Sequence, residues 1–105
     1  MARLTITNYI DDEREIHHFS SISAALLYVK SEFFMSTSEY YQTEVDAVGF
    51  DELKQYDWHD KFLEYGLPAT ATLQDFCNAE FAKFCKNKKF VWNDGRYDLF
   101  GIKLA

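Results

Sequence analysis

The sequence predicts one α+β domain over residues 1–105: an N-terminal β-hairpin, two to three helices and a C-terminal β-hairpin, with an antiparallel sheet packed against the helices. Three observations carry this. Residues 3–10 alternate apolar and polar side chains with a period of two; Ile22 to Phe34 and Leu73 to Lys88 repeat apolar residues at helical spacing; and Asp94-Gly95 sits between two apolar runs. An isolated hairpin is marginal in water, so the two hairpins are expected to share one sheet or to pack on the helices.

In the first strand Leu4, Ile6 and Ile10 oppose Arg3, Thr5 and Thr7. Asp11-Asp12-Glu13 forms a polar turn, and Arg14 to Phe19 returns as the second strand with Ile16. Ser20 or Ser21 supplies the N-cap oxygen for a helix over Ile22 to Phe34, whose Ile22, Ala25, Leu26, Val29 and Phe33 make one buried face. Residues 35–49 show no clean period and read as a long loop or a short helix. A second helix opens at Asp51 and stops at Gly66, with Pro68 beyond. Thr72 and Asp75 have capping-box spacing and start a third helix, which runs to about Lys88. Lys83, Lys86, Lys88 and Lys89 crowd its end, where cations complement the helix dipole. Phe90 to Trp92, a turn at Asn93-Asp94-Gly95, and Arg96 to Leu104 close the chain as the second hairpin.

With 48% hydrophobic and 27% charged residues the chain is neither disordered nor collagen-like. Aromatic side chains make up 18%, so the core is built from large rings. No apolar run approaches the ~20 residues of a membrane span, so no membrane partner is expected. The opening residues lack the apolar core of a signal peptide, which points to the cytoplasm. Cys77 and Cys85 fall eight residues apart in one helix. That is roughly 12 Å along the axis, too far for a disulfide, so both are expected as free thiols.

Charge is the most informative bulk property. The chain carries seventeen acids against eleven Lys and Arg, a net −6. The distribution is uneven: residues 1–82 hold fifteen acids and five bases, net −10, whereas residues 83–105 hold six bases and two acids, net +4. Nucleic-acid binders draw most of their affinity from basic surfaces, so direct nucleic-acid binding is not expected. The expected partner is a basic protein or nucleoprotein complex.

No motif assigns catalysis. His17 and His18 are strand neighbours, whose side chains point to opposite faces, and His59 has no partner at helical spacing. There is no metal-ligand spacing, nucleophile elbow or phosphate-binding glycine cluster, so no catalytic residue, cofactor or metal is assigned. Glu80 is the anomaly. It falls within the apolar arc of the third helix beside Cys77 and Phe84. A buried carboxylate either takes a cationic partner or becomes a general acid, which keeps a small enzyme centred on Glu80 as an alternative. A homodimeric structural module is a further alternative.

The segment Glu39 to Glu64 carries eight acids against Lys54 and Lys61. On a continuous second helix Asp57, Asp60 and Glu64 share a face opposite Trp58, Phe62 and Tyr65. The partner-binding surface is therefore assigned to Glu44, Asp46, Asp57, Asp60 and Glu64, with Tyr40 and Tyr41 as aromatic anchors. In size and charge the chain resembles small acidic inhibitors: phage anti-defence proteins, anti-CRISPR proteins among them, and nuclease-immunity proteins. That resemblance implies a non-enzymatic binding protein that covers a basic, nucleic-acid-processing partner, by steric block or by nucleic-acid mimicry.

Overall fold

The computed structural model describes residues 1–105. β1 (Ala2–Asn8) and β2 (Glu13–Phe19) pair antiparallel, with Leu4 opposite His17 and Thr5 opposite Ile16. The alternation does what its period requires: Ala2 and Leu4 are buried toward the helices while Arg3 is exposed on the far side. Between the strands, the Asn8 side-chain oxygen accepts the N–H groups of Ile10 and Asp11. Asp12 takes a left-handed φ of 53° there, a conformation that short polar side chains tolerate.

α1 (Ile22–Phe33) starts where Ser21 accepts the Ala24 N–H at 3.1 Å. It buries Ala25 and Val29, but Ile22 in its first turn stays half exposed rather than joining the core face. Phe34, just past the helix, swings inward and meets Phe84, Phe90 and Trp92 at ring separations of 5.9, 5.4 and 5.0 Å. The indistinct segment that follows holds a ten-residue helix, α2 (Glu39–Val48).

The expected single helix from Asp51 to Gly66 is two: α3 (Phe50–Gln55) and α4 (His59–Tyr65). On one continuous helix Leu53 and Trp58 would point about 140° apart. Both are buried. The chain reconciles them with a wide turn, in which the Trp58 N–H reaches back five residues to the Leu53 carbonyl at 2.7 Å. α4 stops at Gly66 in the left-handed conformation, as its sequence signal requires. α5 (Leu73–Asn87) opens on a complete capping box between Thr72 and Asp75.

β3 (Lys89–Asn93) and β4 (Asp98–Leu104) form the second hairpin. Its connection is longer than a two-residue Asp-Gly turn. Arg96 and Tyr97 belong to the loop, because the Asp94 carboxylate accepts both of their N–H groups, at 2.9 and 2.8 Å. The four-stranded sheet has the order β2-β1-β4-β3, so the hairpins meet at its centre, Leu4 opposite Leu104 and Ile6 opposite Ile102. All helices lie on one face. Trp92 fills the middle of that interface, stacked on Phe100 at 4.4 Å, while Phe76 is stacked between Trp58 and Phe62 at 4.5 and 5.1 Å. Both cysteines are free.

On the other face, Tyr9 lies across the sheet over Gly101. A β-carbon there would sit 3.3 Å from the Phe90 carbonyl oxygen, the Tyr9 ring and Val91. Two of these neighbours can give way and the backbone carbonyl cannot. Gly101→Val is therefore expected to cost about 1–3 kcal/mol, read as a lower urea midpoint with an unchanged m-value. A variant as stable as the parent would show that the strands spread freely at this point.

Candidate functional site

α5 turns Phe76, Cys77, Glu80 and Phe84 toward the interior. The Glu80 side chain has no solvent exposure and is fully partnered. Its Oε1 accepts the Tyr41 hydroxyl at 2.9 Å; its Oε2 accepts the Tyr65 hydroxyl at 2.8 Å and the Lys61 ammonium at 3.2 Å. The Tyr41 oxygen in turn accepts the Trp92 indole N–H at 3.2 Å. The network joins α2, α4, α5 and β3, and Lys61 supplies the one compensating charge from the half-buried rim.

A general acid needs room for a substrate atom beside it. Glu80 lines neither the cleft between the first hairpin, α1 and α2 nor the depression on the far face of the sheet, and its donors already occupy both oxygens. Cys77, one turn away, is no nucleophile in this state: burial first, then the charge on Glu80, pushes its thiol up to about 12. Burial and then Glu80 likewise hold the Tyr41 and Tyr65 hydroxyls well above the usual phenol range. His17 faces the helices beside Tyr28 and Glu15, and His18 is exposed one residue on. No group of three or more His, Cys, Asp or Glu side chains is placed to hold a metal ion.

The expected partner surface is redistributed. Tyr40 and Tyr41 are not surface anchors; both are buried on α2, Tyr40 donating its hydroxyl to the Asn93 carbonyl at 2.8 Å. Asp57 lies in the break between α3 and α4, so it shares no helix face with Asp60 and Glu64. Glu64 pairs with Lys83 at 3.3 Å, and Asp60 lies 3.7 Å from His59. Asp46 is exposed on α2, on the face that carries Glu39 and Thr43. Glu44 is the member that gains company. Partial burial, then Asp57, then Asp94, raises its carboxyl above the ordinary range.

Glu44 also stands at the wall of a cleft, a space of about 750 Å³ between the first hairpin, α1 and α2. Glu13, Glu15, Glu32, Glu39 and Glu44 line it, and no Lys or Arg does. Ile6, Phe33, Tyr40 and Phe100 give it an apolar, largely aromatic floor. The chain matches no known protein family, no curated protein and no solved structure. Three of the five cleft acids, Glu13, Glu15 and Glu32, lie outside the acidic segment that the sequence singles out. Only the pairing of β2 with β1, and the packing of α1 over both, brings them beside Glu39 and Glu44.

Two outcomes follow from the buried network. Tyr41→Phe strands both the Trp92 N–H and one Glu80 oxygen, whereas Tyr65→Phe strands neither wholly, since Lys61 still reaches the other oxygen. Tyr41→Phe is expected to cost about 2–3 kcal/mol and Tyr65→Phe about 1 kcal/mol in urea unfolding, and equal losses would refute the shared role of Tyr41. The second outcome is alkaline. Tyr41 ionises more readily unfolded than folded, so its contribution is complete below about pH 10 and is lost as pH rises above it. Cys77 acts in the same direction from about pH 9 to about pH 12. Unfolding free energy should thus fall from about pH 9 upward, by about 1.4 kcal/mol per pH unit for each group once its unfolded form has ionised. A Cys77→Ala variant should show the shallower decline.

Proposed function

We propose that this is a non-catalytic binding protein whose acidic cleft takes a basic segment of a partner and thereby inhibits it. The observation that carries the reading is the cleft itself: five carboxylates, no cation, and an aromatic floor. Carboxylates steer Arg and Lys side chains inward and fix their register, and aromatic faces accept cations and their aliphatic stems. The enclosure of Glu80 supports a binding role over a catalytic one. Nucleic-acid-processing proteins are the proposed partner class, because their phosphate-binding surfaces are rich in exposed Arg and Lys. On this reading the cleft carboxylates stand where phosphates would, and the protein acts in the manner of the small phage anti-defence and nuclease-immunity proteins it resembles in size and charge.

Co-purification from the native host with mass spectrometry identifies the partner, and an arginine-rich peptide serves as the probe of the cleft. Glu39→Gln with Glu44→Gln should weaken peptide binding about fivefold at low salt and flatten its salt dependence. Asp60→Asn with Glu64→Gln should leave it unchanged, since those carboxylates lie outside the cleft beside His59 and Lys83. Equal effects from both pairs would mean that net charge, not the cleft, governs binding.

A further inference from the structure

The opposite face of the sheet carries the reverse charge. Arg3 of β1, Arg14 of β2, Lys103 of β4 and Lys89 of β3 all surround a shallow depression of about 350 Å³, which no acid lines. All four are exposed, and none takes part in an ion pair. Lys89 and Lys103 are directly opposed across β3 and β4. Like charges in that relation destabilise a sheet, and this chain has seventeen acids with which to relieve them. Among these cations Tyr9, half exposed, has one edge of its ring held against the sheet over Gly101.

We propose that this open sheet face binds single-stranded nucleic acid, with Arg3, Arg14, Lys89 and Lys103 taking backbone phosphates and Tyr9 stacking on a base. A shallow surface with one cation on each strand suits an extended, flexible polyanion, and a ring braced from below is a stacking platform that any base can use. A second copy of the chain, docking its acidic cleft on this face, is the rival occupant that the test separates from a nucleic-acid strand. The net charge of −6 argued against nucleic acid only while charge was averaged over the chain; the sheet face is locally cationic.

The test is fluorescence anisotropy of short labelled oligothymidine and oligouridine strands titrated with the full chain across salt concentrations. Binding of either strand is expected, with log K falling against log salt at a slope of roughly −3 if all four cations engage. Lys89→Gln with Lys103→Gln should weaken binding at least ~10-fold at low salt and make the slope shallower by roughly 1.4. That pair removes a repulsion, so a thermal melt should show the fold no less stable. Tyr9→Leu should weaken binding about tenfold with the slope unchanged. Three outcomes would each overturn the proposal: no strand bound at low salt, polyglutamate bound as tightly as the strands, or salt-sensitive self-association in place of strand binding. The cleft variant Glu39→Gln with Glu44→Gln should not weaken strand binding, so failure of this surface and failure of the cleft are read separately.

Discussion

A carboxylate with no access to water is the constraint on which the rest of the molecule is arranged. Leaving Glu80 unpaired among aromatic rings would cost several kcal/mol, so the fold must deliver donors to it. Three come from two helices: Tyr41 on α2, and Lys61 and Tyr65 one turn apart on α4. Trp92 reaches the same network through the Tyr41 oxygen and so ties the sheet to it. The short helices α3 and α4 are six and seven residues long and have little intrinsic stability. The placement of α3 rests on the apolar groups it buries, and that of α4 on its buried ring and on this network.

The acidic cleft inherits its geometry from the same source. α2 forms one wall, and two adjacent tyrosines fix that helix: Tyr41 to Glu80 and Tyr40 to the Asn93 carbonyl. Glu44 lies one turn beyond them, so a carboxylate at the cleft wall is aimed by the hydrogen bonds of two largely buried tyrosines. The shape of the cleft on the outside and the satisfaction of a charge on the inside therefore depend on a single helix.

Local signals were legible in the sequence where one residue and its near neighbours decide the conformation. The Ser21 cap, the Thr72–Asp75 box and the Gly66 stop all act within four residues and appear in the structure, and the alternation of β1 appears at Ala2 to Leu4, whereas Ile10, expected on the same strand, lies exposed in the turn beyond Asn8. α2 was not legible, because it is buried by tyrosines, which blur an apolar–polar pattern. The break between α3 and α4 leaves a trace in the sequence: on one continuous helix Leu53, four residues before Asp57, would share the acidic face, an apolar residue on the wrong side. Glu80 was legible as an anomaly, but its partners lie 39, 19 and 15 residues away, beyond any spacing rule. The site was the least legible part. A run of acids in sequence is not a surface, and pairing β2 with β1 recruited Glu13 and Glu15 while Lys83 neutralised Glu64.

The same topology explains the division of charge. A strand sends alternate side chains to opposite faces, so each edge and centre strand can serve both surfaces at once. β2 places Glu13 and Glu15 toward the cleft and Arg14 toward the open face. β4 sets Phe100 in the cleft floor and Lys103 on the open face. The excess of bases in residues 83–105 is thus only partly a helix-end effect, since two of those lysines lie on the sheet and meet two arginines from the first hairpin. With about 8 Å of screening length at physiological ionic strength, surfaces on opposite sides of a sheet-and-helix layer act almost independently. One small acidic chain can therefore present a polyanion-like cleft on its helical side and a cationic sheet on the other, and the net charge describes neither.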